Sequence, residues 1–256
     1  DEEYEPSSEY DSSFALQIFA AREAVFKILA KECLSIHEKL IVILDMGSKI
    51  QQCINTDEYD NIKSVVNDYL KEGIAHTLDE TRNLSDSGQF EDISLQQGIR
   101  QILYPYEEME VLNPEWEVIL KDIIDSLFEQ MSDEEYNILN EEFGTYMVSR
   151  AYEYRQLLEY LVFRYFAKSI YDYDFLGKCQ MLVTNFFVIR QMDIIRWLDN
   201  HREYSFKDRM DVVHIFSRQV EYSEDNIENL YEDFIFDDIF KTDSLIAILW
   251  IDSENI

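Results

Sequence analysis

An all-α fold, an irregular bundle of about eight to ten helices, is what this sequence predicts, and three observations predict it. The only prolines are Pro6, Pro105 and Pro114, so the last 142 residues contain none. Helices there meet no residue that removes a backbone hydrogen bond and clashes with the preceding turn. No stretch sustains the period-two alternation of a strand, whereas apolar residues recur at helical spacing and helix-capping phrases punctuate the chain. With 256 residues and 46% apolar content, the chain buries a core large enough to need no disulfide or metal staple.

Read in order, residues 1–13 hold six carboxylates and almost no apolar side chain, which predicts an acidic flexible tail. Residues 14–256 read as one helical domain with a subdomain boundary near 83–97. Ser12 or Ser13 is placed to cap a helix whose Phe14, Ile18, Ala21, Val25, Ile28 and Leu29 share a face. Ser35-Ile-His-Glu38 has the form of a capping box and starts a helix to about Cys53. The next helix spans Glu58 to Lys71, with Gly73 near its end. Asn, Ser, Asp and Gly then crowd Asn83–Gly88, a loop signal, and a short helix precedes Tyr104-Pro105. Asn113-Pro114 supplies a cap followed by proline at the first helical position, for a helix to about Met131. Ser132-Asp-Glu-Glu135 is a second capping box, and helical patterning continues towards Lys168 with a break at Gly144. Phe175 to Leu198 is apolar on nearly every side and is the central helix, with Arg190 and Asp193 as an internal pair. Ser205 caps the helix after it, whose Phe206, Met210, Val213 and Val220 face inward, leaving His214, Arg218 and Glu221 on the other side.

A formal charge of −31 excludes the broad basic surface that releases counterions from a nucleic acid, and it disfavours an anionic membrane surface. Cys33, Cys53 and Cys179 are odd in number and far apart. They form neither a disulfide framework nor a metal motif, and free buried thiols in a reducing compartment are the expectation. No signal peptide or membrane-spanning run is visible, so a cytoplasmic protein is expected, with Asp1 as a possible internal start of a longer chain. His37, His76, His201 and His214 make no His-Glu-x-x-His pattern, and the six glycines form no dinucleotide or phosphate loop.

Between Arg150 and Arg218 the acidity stops: eleven of the 22 basic residues meet nine carboxylates, a local balance of +2, so the remainder sums to −33. Here Arg155/Glu159 and Tyr160/Arg164 fall four residues apart beside an apolar stripe, and Arg190, Arg218, Glu221 and Asn226 follow on later helices. Charges threaded through apolar helix point either to a structural ion-pair network or to a binding site, and composition does not choose between them. The phrases Leu158-Glu-Tyr-Leu-Val-Phe-Arg-Tyr-Phe166, Val188-Ile-Arg190 and Phe216-Ser-Arg-Gln-Val-Glu-Tyr-Ser-Glu-Asp-Asn-Ile227 resemble, in this order, the C-terminal region of the flagellin lysine-N-methylases. The helices of Phe14 to Cys53 also resemble the part that follows that family's cysteine-rich motif.

The resemblance implies a bacterial methyltransferase that moves a methyl group from S-adenosylmethionine to lysine side chains of flagellin in the cytoplasm. It also implies an iron–sulfur cluster held by a cysteine-rich N-terminal motif, which this chain lacks. Either the chain is the C-terminal portion of a longer protein or it is a relative without the cluster. Tyr222 is a second departure, standing where the family has a histidine after the glutamate. Lysine methylation must receive a cationic amine and remove one proton, work suited to carboxylates and aromatic faces. Glu159, Tyr160, Glu221 and Tyr222 are the candidates for that pocket, and Arg155, Arg164, Arg190 or Arg218 for holding a cofactor carboxylate. The competing class is a non-catalytic helical module whose acidic surface binds a protein partner. If the site is shared, Arg155, Glu159, Arg164, Arg190, Arg218 and Glu221 converge where their helices meet.

Overall fold

The computed structural model describes residues 12–86 and 93–254, and among them every regular element is helical. The chain opens with α1 (Ser12–Leu29), α2 (Ile36–Asn55) and α3 (Ile62–Asp68), which passes through a π turn at Tyr69–Gly73 into α4 (Ile74–Asp86). There follow α5 (Leu95–Glu107), α6 (Pro114–Ile123), α7 (Asp133–Met147), α8 (Ala151–Tyr165), the single-turn α9 (Ser169–Asp172) and the long α10 (Phe175–Asp199). Last come α11 (Phe206–Phe216), α12 (Glu224–Phe236) and α13 (Thr242–Glu254). Because 3-10 and π turns join several of them end to end, these segments make ten uninterrupted helical runs among the described residues.

The caps read from sequence set these boundaries. Ser35 Oγ accepts from the Glu38 amide at 3.1 Å while the Glu38 carboxylate accepts from the Ser35 amide at 2.8 Å. Ser132 with Glu135 and Ser205 with Asp208 repeat the arrangement, and Asn113 caps α6 with Pro114 in its first turn. Such caps contribute roughly 1 kcal/mol each by satisfying amides that the helix itself leaves open. Ser12 and Ser13 lie within α1 rather than ahead of it, and the remainder of the expected acidic tail lies outside the described residues. Helix α4 continues through Asn83 to Asp86, and the rest of the expected loop, from 87, lies outside them as well.

Two expected breaks are absent. Gly144 sits inside α7, where burial of Tyr136, Leu139, Phe143 and Met147 outweighs the ~1 kcal/mol cost of a helical glycine. Pro105 is buried within α5 rather than ending it, and the next residue compensates. The Tyr106 hydroxyl donates to Asn185 at 2.7 Å in the middle of α10, anchoring the turn that the proline weakens.

Helix α10 is the axis of the molecule, packed against α2, α6, α8 and α11 and buried at every position from Phe175 to Ile195 except Leu176. Gln51 on α2 fixes its start, since its side-chain oxygen accepts from the amides of Phe175 and Leu176 at 2.8 and 3.1 Å. Close packing of α2 on α10 depends on Gly47, where an added Cβ falls 2.5 Å from Cys179 Sγ. At the other end Asp252 on α13 ties distant parts together. It accepts from His37 Nε2 on α2 at 2.7 Å and from the Asn140 amide on α7, and lies 3.5 Å from Arg190 on α10.

Two outcomes follow from this packing. Gly47→Ala loses about 1–3 kcal/mol of stability through overpacking, and much of that loss disappears in a Cys179→Ala background, as urea melts of the single and double variants measure. Asp252 is fully buried; burial pushes its carboxyl upward, but Arg190 and then His37 override that and hold it at about 2 against an ordinary 3.8. A depressed carboxylate contributes stability that is complete above the unfolded value and lost as pH falls through the folded one. Acid melts therefore lose roughly 2 kcal/mol between about pH 4 and 2, and Asp252→Asn removes this component.

Candidate functional site

The charge island of residues 150–218 resolves into a buried ion cluster beneath an open groove. Arg209, on α11, is nearly fully buried. Its Nη1 donates to Asp193 Oδ2 on α10 at 2.5 Å, and its Nε donates to Glu153 Oε2 on α8 at 3.2 Å. The guanidinium lies over the Tyr154 ring, 4.3 Å from its centroid, and within 5.4 Å of the Tyr204 ring. Its Nη2 has no hydrogen-bond partner among the described residues, so these aromatic faces are its company on that side. Asp193 also accepts from the hydroxyls of Tyr154, at 2.7 Å, and Tyr204, while Arg150 grips both oxygens of Glu153 at 2.7 and 3.0 Å. Burial works against the charge on Arg209, and Asp193 together with Tyr154 and Tyr204 more than offsets it, raising the guanidinium further above its ordinary value.

Above this cluster, α8 and α11 enclose a groove of about 670 Å³. Glu153 and Arg209 belong to its floor, Leu157 and Tyr160 to one wall, Phe206 and Met210 to the other. Here the inward placement of Phe206 and Met210 needs correction: they are 68% and 51% exposed. Helix α11 carries two stripes of similar width, and it buries the one made by Arg209, Val212 and Phe216, with Ile215 beside it. The guanidinium is drawn under by its two carboxylates, so the rival stripe of Phe206, Met210 and Val213 becomes the groove wall.

The six charged residues expected to converge do not share one site. Arg164 and Glu221 meet at 2.9 Å, and the Tyr160 hydroxyl donates to the same Glu221 oxygen at 2.7 Å. Burial raises the Glu221 carboxyl despite these partners, and burial together with Glu221 pushes the Tyr160 phenol up to about 12. Arg155 and Glu159 form a looser, half-exposed pair at 4.0 Å on α8. Arg190 is not the partner of Asp193; its Nη1 donates to the Asn140 side chain and lies 3.5 Å from Asp252. Arg218 and Tyr222 are exposed. Asn226 is buried and structural, its side chain accepting from the Glu110 amide at 2.9 Å and donating to the Glu110 carbonyl at 3.0 Å.

Arg150, Glu153, Tyr154, Tyr204 and Arg209 escaped the sequence reading. The spacing of Arg209, Val212 and Phe216 carries a signal, an arginine in line with an apolar stripe. Nothing local distinguishes it from the competing stripe one position away. Of the cysteines, Cys179 is buried as expected, Cys53 is half-buried and Cys33 is exposed. No helix among the described residues is long and apolar enough to cross a membrane.

Residues 22–248 match the family described as the FliB lysine N-methylase C-terminal domain. The match takes in most of the chain, including the groove and the ion cluster beneath it, and the chain belongs to this family. Comparisons with curated proteins and with solved structures return no match.

Replacing Arg209 by methionine strands the carboxylate of Asp193 in the interior with no cation, while Glu153 keeps Arg150. The expected loss is about 3–5 kcal/mol in chemical denaturation, far above that of Arg155→Met, whose pair is half-exposed and worth less than about 1 kcal/mol.

Proposed function

We propose that this member of the FliB lysine N-methylase family is the helical, substrate-engaging portion of an enzyme that moves a methyl group from S-adenosylmethionine to lysine side chains of flagellin. The observation that carries the reading is the groove between α8 and α11. Its wall presents Phe206, Met210 and Tyr160 to solvent, while its floor is locked by the Glu153–Arg209–Asp193 cluster. A rigid floor beneath exposed aromatic and thioether side chains suits a polypeptide segment, which gains affinity from a few apolar anchors. The chain's charge of −31 adds a long-range field that draws a lysine-bearing substrate and repels acidic competitors.

The cofactors that the family implies fare differently from a peptide. S-adenosylmethionine brings a carboxylate that needs a cation, and the groove's one guanidinium is already engaged by Glu153 and Asp193. Arg164, close by, is held by Glu221. The volume suits the cofactor, but the charges do not. An iron–sulfur cluster fits no better. Cys33, Cys53 and Cys179 lie on separate elements, and among the described residues no group of His, Cys, Asp and Glu is arranged to hold a metal.

Titration of purified flagellin into this chain tests the reading. Binding weakens as salt rises, and Phe206→Ser or Met210→Glu lowers affinity about tenfold, the worth of one apolar anchor. The exposed control Ile235→Ser leaves affinity unchanged. Equal binding by all variants, or none by the parent chain, removes the groove from the account.

A further inference from the structure

A second concave site lies on the other side of the Tyr154 ring. Ile36 and His37 of α2, Met147 at the end of α7, and Phe186 and Arg190 of α10 line a pocket of about 230 Å³, which Tyr154 closes on the groove side. Exposed Ser35 and Val148 stand at its mouth, whereas His37, Phe186 and Arg190 are buried at its base. The walls are almost wholly apolar, and the Phe186 ring stands edge-on to the His37 imidazole with centroids 5.4 Å apart.

The chemistry of the base is set by Asp252. That carboxylate is ionised, paired with Arg190 and bonded by Asn140, so the His37 Nε2 facing it at 2.7 Å carries a proton and donates. In the neutral imidazole Nδ1 is then a lone-pair acceptor. It has no hydrogen-bond partner among the described residues and is not an enclosed atom, and His37 lines the pocket. Arg190 is committed to Asn140 and Asp252, which leaves it no role with an incoming anion. A pocket offering aliphatic and aromatic walls with an acceptor at its base selects an apolar chain that ends in a donor.

We propose that this pocket takes an aliphatic primary amine, the end of a lysine side chain, and that His37 Nδ1 is its proton acceptor. The choice of a lysine amine rests on the methylase reading, whereas an apolar chain ending in a donor follows from the pocket. The step balances simply: the ammonium gives one proton to Nδ1, leaving a neutral amine and an imidazolium that hydrogen-bonds through Nε2 to the unchanged Asp252 carboxylate. Two features favour it. Apolar walls desolvate the incoming ammonium and offer it no carboxylate, whereas the imidazolium that forms lies 2.7 Å from Asp252. Asp252 supports the charge once it has moved to the imidazole, as a carboxylate behind a histidine does in general base catalysis.

The test uses n-butylamine as the probe and 1-butanol as its uncharged counterpart, followed by nitrogen NMR of the His37 imidazole at near-neutral pH. Butylamine saturates the site and moves Nδ1 to its protonated shift, and butanol binds about tenfold more weakly with no such change. His37→Gln keeps a donor for Asp252 and the stability it confers but lacks the free ring nitrogen, so it loses the preference for the amine. Val148→Trp, at an exposed position on the mouth, blocks both probes without unfolding the chain. Equal uptake of both probes by the parent chain, retained amine preference in His37→Gln, or no uptake of butylamine overturns the proposal. None of these outcomes bears on flagellin binding in the groove, which fails or stands on the Phe206 and Met210 variants.

Discussion

A helix buried on every side that carries two opposite charges constrains everything around it. Arg190 and Asp193 lie one turn apart on α10, both almost fully buried, and an uncompensated charge there costs several kcal/mol. They do not satisfy one another. Arg190 takes Asp252 and Asn140, which ties α13 and α7 to α10, and Asp193 takes Arg209, Tyr154 and Tyr204, which ties α11 and α8 to it. Apolar packing alone tolerates sliding and rotation of helices, but these bonds do not. The direction in which each charge points therefore sets which helices flank α10 and at what register.

From this the character of both concave sites follows. The groove floor is polar and locked by its ion pairs, so it offers shape, and the apolar wall above it supplies the contact energy. The pocket behind it inverts the arrangement, with apolar walls around one open acceptor. Tyr154 separates the two and serves both. Its hydroxyl holds Asp193, one face supports Arg209, and its edge packs against Phe186 with centroids 5.3 Å apart.

What the sequence disclosed divides along the range of the interactions concerned. Capping boxes at Ser35, Ser132 and Ser205 close over three residues, so their spelling suffices to place helix starts, and the all-round apolar character of Phe175 to Leu198 likewise marks its burial. The pair Arg155/Glu159 was legible because four residues make one helical turn. Same-helix logic failed at Arg190 and Asp193, since a buried charge seeks the best-placed partner, and Asp252 lies 62 positions further along. Helix α11 failed differently. Two apolar stripes compete there, and only carboxylates contributed by α8 and α10 decide that Arg209 turns inward and Met210 outward.

The phrase from Ser217 to Asn226 shows how one stretch serves several ends. After α11 the backbone widens into a π turn at Ser217–Glu221, and the extra residue in that turn shifts the side chains that follow relative to a regular helix. Gln219, Val220 and Glu221 are buried in succession, while Arg218 just before them stays outside. Gln219 accepts from the amides of Leu112 and Asn113 at 2.9 and 3.2 Å, and Asn226 holds Glu110, so together they clamp the loop that leads into α6. Glu221 turns instead to Arg164 and Tyr160 on α8. Two residues apart on a helix, Gln219 and Glu221 point in nearly opposite directions, so each meets a different neighbour. One short segment thus fastens the loop into α6 through Gln219 and the Tyr160 end of the groove through Glu221. The same constraint explains why its residues read as a dense word in the sequence: each position has a different partner to meet.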